Sequence, residues 1–147
     1  MGRVIIIDDN VVYCDHVGNL LAKEGIDTEK IYSLSAAKKT VLSVSDDDII
    51  LSDLRFPDGN GIDLLKYMRE NGRRNPFFIM TDYGEVPTAV RSMKSGADDY
   101  ISKRTLEEEL LPTIRSLLKR KSRSLVKREH ILCLLYTSDA ADEGLGV

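Results

Sequence analysis

Val4-Ile5-Ile6-Ile7 is a β-branched run with no polar residue in alternation, and it stops abruptly at Asp8-Asp9. A strand with one wet face alternates; a run that does not must be covered on both sides, which means a parallel sheet between layers of helix. The rest of the chain repeats the theme. Ile31 to Leu34 reads as a weak second strand, Ile49-Ile50-Leu51 as a third running into Ser52-Asp53, Phe77 to Met80 as a fourth followed by Thr81, and Tyr100-Ile101 as a fifth ending near Lys103. Between them lie apolar residues at helical spacing: Tyr13, Val17, Leu20 and Leu21; Ala37, Val41 and Val44 behind a Ser35 cap; Ile62, Leu65 and Met68; Val86, Ala89, Val90 and Met93. Gly25, Gly72 and Gly96 supply stops, and Pro57 to Gly61 is a turn from which Asn60 and Asp63 cap the next helix. A last stripe, Leu106 to Leu118, follows a capping box of Thr105 with Glu108, with Pro112 inside it as an expected kink or lost hydrogen bond. Five βα units in succession predict an α/β fold with helices on both faces of a parallel sheet.

Composition narrows the function classes. The chain has 147 residues, 42% hydrophobic and 31% charged, enough for one core. A net charge of -3 gives no reason to expect nucleic acid or an anionic membrane as main partner. Cys14 and Cys133 make neither a disulfide framework nor, with only His16 and His130 to help, a zinc site. The start lacks a signal-peptide layout, no apolar stretch approaches a membrane span, and a cytoplasmic location is expected.

In such a sheet the working crevice lies at the carboxyl ends of the strands. Asp8-Asp9 ends the first, Asp53 the third, Thr81 the fourth, and Lys103 follows the fifth. Each alone reads blandly, as a strand-end charge, a cap or a solvated lysine. Together they bring carboxylates, a hydroxyl and an ammonium to one rim. Clustered carboxylates resist ionising without compensation, and Mg²⁺ suits them because it accepts a few carboxylates while keeping water and phosphate oxygens. One carboxylate can then attack phosphorus, with Lys103 neutralising charge and Thr81 donating to a phosphoryl oxygen.

At this point the residues resemble a known family, the receiver domains of two-component response regulators. The matching pieces are Ile-Ile-Asp-Asp, Leu-Ser-Asp-Leu-Arg-Phe-Pro-Asp-Gly-Asn-Gly, Ile-Met-Thr-Asp-Tyr-Gly and Met-Lys-Ser-Gly-Ala-Asp-Asp-Tyr-Ile-Ser-Lys, spread over roughly Arg3 to Lys121. The resemblance implies a flavodoxin-like, doubly wound (βα)5 sheet of order 2-1-3-4-5. It implies Asp53 as phosphoacceptor for a sensor histidine kinase, and Mg²⁺ on Asp8, Asp9, Asp53 and the backbone carbonyl of Arg55. Thr81 and Lys103 take the hydroxyl and ammonium roles, and Tyr100 that of the aromatic that turns inward on activation. It further implies a signalling switch in place of a turnover enzyme, homodimerisation on phosphorylation, and DNA contact only through an output domain. Arg55 and Tyr83 stand where family members tune hydrolysis of the acyl phosphate. The segment from Thr81 to Val90 looks most like receivers of NtrC-type regulators that act with σ54 polymerase. Two departures are Arg104, where the family has proline, and Asp82, where it has a small residue.

Rival chemistries lack their residues. An aspartyl phosphatase needs Asp-x-Asp after the first strand, where this chain has Asp8-Asp9-Asn10, and a flavin site needs a Ser/Thr/Gly-rich first loop in place of Asn10 to Tyr13. A degenerate receiver that only binds protein is disfavoured by the complete set of groups. The expected organisation is a receiver domain over 1–121, a linker over 122–132 and a tail over 133–147, disordered or loosely helical. That tail resembles a translated sequencing adapter. The intact gene is accordingly expected to continue past about His130 into an ATPase and a helix-turn-helix domain.

Overall fold

The structure, a computed structural model, describes residues 2–82 and 94–117. The chain separates into two compact units, Met1–Glu109 and Leu110–Val147. The first contains a five-stranded parallel sheet of β1 (Val4–Ile7), β2 (Thr28–Ile31), β3 (Ile49–Asp53), β4 (Phe77–Thr81) and β5 (Asp99–Ser102). Their order is β2-β1-β3-β4-β5, the doubly wound, flavodoxin-like arrangement expected, with the winding reversed between β1 and β3. Connecting them are α1 (Val11–Ala22), α2 (Leu34–Thr40) and α3 (Gly61–Glu70). Residues 106–117 are helical through Pro112, and Leu110, Ile114 and Leu117 are buried. The helical stripe from Val86 to Met93, Tyr83, Leu118, the linker and the tail lie outside the described residues.

Strand alternation divides the core. Ile5, Ile7, Ile50, Phe77 and Ile79 point to one face, where Leu34 and Ala37 of α2 and Ile62, Leu65 and Met68 of α3 close over them. Ile6, Leu51, Phe78 and Met80 point to the other, the side of α1 with its buried Cys14, Val17 and Leu21. The central strands are almost wholly buried, which is why they carry no alternation. Buried Asn75 ties the approach to β4 to the approach to β3, its Nδ2 donating to the carbonyls of Ser45 (2.8 Å) and Asp48 (2.9 Å).

Local differences from the sequence expectation have simple causes. β2 lies three residues earlier than Ile31 to Leu34, because Thr28, Glu29 and Lys30 are half exposed on an edge strand and only Ile31 is buried. Leu34 instead begins α2, and the cap is Ser33, not Ser35: its Oγ accepts from the Ala36 amide at 3.1 Å. Val41 ends that helix, and Val44 is buried from a turn. The Pro57 turn closes a small hairpin, Arg55–Phe56 against Gly59–Asn60, and Asn60 caps α3 as expected. No capping box forms at Thr105: its hydroxyl donates to Glu109 at 2.7 Å, and its amide donates to the Ser102 carbonyl. Gly25 and Gly72 close α1 and α3 at φ 74° and 78°, with nothing near a would-be Cβ, so backbone conformation alone selects glycine there.

Candidate functional site

Registration of the strands builds the site. Asp8 follows Ile6 by two, Asp53 follows Leu51 by two, and Lys103 follows Ile101 by two, so all three share the parity of the α1 face. Thr81 and Tyr100 have the opposite parity, and Tyr100 packs half-buried against the α2–α3 core cluster. Carboxylate oxygens of Asp8, Asp9 and Asp53 lie within 4.8 Å of one another. Asp8 is fully buried, Asp53 half-buried and Asp9 exposed.

Asp8 is held from both oxygens. Its Oδ1 accepts from the Asn10 amide at 2.9 Å and its Oδ2 from Lys103 Nζ at 2.7 Å. Asn10 in turn caps α1, its Oδ1 accepting from the Tyr13 amide at 3.0 Å, so the Asp8 carboxylate and the start of α1 are built as one turn. Lys103 Nζ also stands 3.3 Å from Asp53 Oδ1. The Lys103 amide donates to the Thr81 carbonyl at 2.8 Å, which fixes the root of the lysine to the end of β4. The Lys103–Arg104 peptide is trans, and Asp82 is exposed beside the rim. Arg55 is exposed at the first position of the hairpin, opposite Asn60.

Electrostatics follow from this crowding. Burial and then the neighbouring Asp8 push the Asp53 carboxyl up to about 6, against the pull of Lys103. Burial pulls the Lys103 ammonium down, but its hydrogen bond to Asp8 and the charge of Asp53 outweigh that, and its proton is held more tightly than usual. Three clustered carboxylates with one internal cation are a donor set that suits a hard divalent ion, since all the atoms offered are oxygens.

The raised Asp53 carboxyl carries a sign that can be checked. Its unfolded value is near 3.8 and its folded value about 6, so the native state is penalised as pH rises through that window and fully so above it. In chelator, Asp53→Asn is therefore expected to stabilise the protein at pH 7.5 by about 2 kcal/mol, allowing for water at the rim. The gain should vanish by pH 4. Urea unfolding at the two pH values measures it; a gain of equal size at both would reject the electrostatic cause.

Sequence reasoning placed Asp8, Asp9, Asp53, Thr81 and Lys103 at one rim; the structure gathers Asp8, Asp9, Asp53 and Lys103, and puts Thr81 at the end of β4, where its carbonyl accepts from the Lys103 amide. It missed Tyr13, which lies with its ring centroid 4.4 Å from Lys103 Nζ, because a tyrosine in a helical apolar stripe gives no signal of its own. It also missed Asn10, whose place just before the first helical residue was a legible cap.

Residues 4–115 match the model of the response regulator receiver domain family. Among curated proteins the chain is similar to the response regulator protein TodT of Pseudomonas putida, 32% identical over 116 residues, 79% of this chain and 51% of that one. It is also similar to the cell cycle transcriptional regulator CtrA of Caulobacter vibrioides, 29% identical over 135 residues, 88% of this chain and 57% of that protein. The chain thus spans about half the length of these relatives. Among solved structures it is similar to the beryllofluoride-activated NtrC4 receiver domain dimer, with TM-score 0.74 and 28% identity over 82% of this chain and 98% of that one. Full-length FixJ from B. japonicum gives TM-score 0.76 and 30% identity over 89% of this chain and 66% of that chain. Among the described residues no helix is long and apolar enough to cross a membrane.

Proposed function

The chain belongs to the response regulator receiver domain family, and from that premise we propose that it is a Mg²⁺-dependent phospho-switch whose acceptor is Asp53. One observation carries this: Asp8, Asp9 and Asp53 present oxygens within 4.8 Å of one another while a single ammonium touches Asp8 and Asp53. An Asp53 oxygen attacks the phosphorus of a phosphohistidine on a sensor kinase. The O–P bond forms as the P–N bond breaks, and the electron pair leaves with the imidazole. Lys103 neutralises the phosphoryl oxygens, and the Thr81 hydroxyl donates to one of them. Asp8, Asp9, Asp53 and the Arg55 carbonyl would hold Mg²⁺, which would supply positive charge against the phosphoryl oxygens. Tyr100 is the aromatic whose packing reports the state of the site. The receiver domain takes 1–121 with a linker over 122–132, works in the cytoplasm, dimerises on phosphorylation, and reaches DNA through a transcriptional output domain.

The test is phosphoryl uptake from a small acyl phosphate or kinase. An acid-labile phosphoryl group is expected on Asp53 with Mg²⁺, absent with chelator, and absent in Asp53→Asn. Undiminished labelling of Asp53→Asn, or indifference to chelator, overturns the assignment.

A further inference from the structure

The hydroxyl of Tyr13 is shut off from water and has no hydrogen-bond partner among the described residues. Leaving such a donor unpaired costs about 1–3 kcal/mol, so its retention calls for an acceptor that arrives later. Burial, then the charges of Asp8, Asp82, Asp53 and Glu107, keep the phenol protonated well beyond its ordinary range, so its proton stays available to donate. A second, independent observation is the ring itself. Lys103 Nζ sits 4.4 Å from its centroid, on the same ammonium that contacts Asp8 and Asp53. The ammonium is therefore bounded by two carboxylates and one aromatic face.

We propose that Tyr13 positions Lys103 and the phosphoryl group together: its ring seats the ammonium, and its hydroxyl donates to an oxygen of the group bound on Asp53. This rests on the phospho-switch assignment above. Its amide donates to Asn10 Oδ1, and the Asn10 amide donates to Asp8 Oδ1, so two consecutive amide-to-side-chain hydrogen bonds register Tyr13 to the carboxylates. Oxygens added to Asp53 would supply an acceptor for the Tyr13 hydroxyl. A purely structural tyrosine would instead have its hydroxyl in water or on a backbone carbonyl.

Beryllofluoride with Mg²⁺ is the probe, measured on the full chain in its native form and as Tyr13→Phe, Tyr13→Leu and Asp53→Asn. Tyr13→Phe keeps the ring and should bind beryllofluoride about tenfold more weakly, the effect of one hydrogen bond to a charged group. Tyr13→Leu should lose about a further fivefold with the ring. The Mg²⁺ midpoint should not move, and ligand-free Tyr13→Phe should melt no lower than the native protein, since an unpaired hydroxyl has been removed. A packing role would move stability and binding together, and that result overturns the proposal, as does a Tyr13→Phe affinity equal to native. Failure of the native protein to bind beryllofluoride any better than Asp53→Asn would instead overturn the phospho-switch assignment.

Discussion

Replacing Lys103 by alanine is expected to lower the stability of the Mg²⁺-free protein by about 3 kcal/mol while raising its affinity for Mg²⁺. Asp8 is fully buried, and Lys103 Nζ is the one cation hydrogen-bonded to it among the described residues. Removing the ammonium leaves a desolvated carboxylate beside a second one, Asp53, whose carboxyl is already pushed up to about 6. Both effects raise the energy of the empty site and neither raises that of a cation-loaded one. The melting temperature of Lys103→Ala should therefore fall sharply in chelator and recover most of the loss in excess Mg²⁺. Phosphoryl uptake should fail in both conditions, since the charge proposed to meet the phosphoryl oxygens is gone. An equal loss of stability with and without Mg²⁺ would mean that the lysine stem, and not its charge, is what the fold uses.

Gly61→Ala is expected to destabilise by about 2–3 kcal/mol and to abolish beryllofluoride binding, although alanine is the better helix former. Gly61 opens α3, and a Cβ there would collide with the Asp53 carbonyl oxygen and stand 3.1 Å from Ser52 Oγ and 3.3 Å from Ile79 Cδ1. The nearest obstacle is the backbone of Asp53, the proposed phosphoacceptor, which cannot step aside without moving the site. Gly18 makes the control. It lies inside α1, and its Cβ would press on the flexible end of Lys30, Cε at 2.8 Å, and meet Thr28 Oγ1 at an ordinary contact distance of 3.6 Å, so Gly18→Ala should be near neutral. Urea unfolding of the two variants separates them; equal effects would show that close approach at Gly61 does not matter.

The rim was legible in the sequence because its groups sit where the polarity of the chain jumps. Asp8 and Asp53 each end an apolar run, and a two-residue period does not depend on what packs above it. Groups whose role comes from the third dimension left no such trace. Tyr13 reads as one apolar residue in a stripe, and only the parity shared by Asp8, Asp53 and Lys103 puts it over the ammonium. β2 was misplaced by three residues because an edge strand needs few buried side chains. The choice of Ser33 over Ser35 turns on backbone angles: Ser33 is extended at φ -148°, as a cap must be, and serines two apart look alike as letters. Thr105 and Glu108 matched a motif whose hydrogen bonds went elsewhere, to Glu109 and Ser102.

At the pole opposite the rim, Arg69 gathers several chain segments onto one guanidinium. It donates to the carbonyls of Arg73 (3.0 Å), Asn75 (2.9 Å) and Gly96 (2.9 Å), and stands 3.9 Å from the Asp98 carboxylate, whose Oδ2 accepts from the Phe77 amide at 2.7 Å. The amino ends of β4 and β5 are thereby pinned together. In mechanical terms these strands are levers with a shared fulcrum. A five-residue strand reaches about 17 Å, so a tilt of about 4° at Arg69 displaces its far tip by about 1 Å. Thr81 stands at one tip and Lys103 just past the other. An ångström is the scale on which a hydrogen bond is made or lost, so a substitution at Arg69, remote from every carboxylate of the rim, would detune the distances among them.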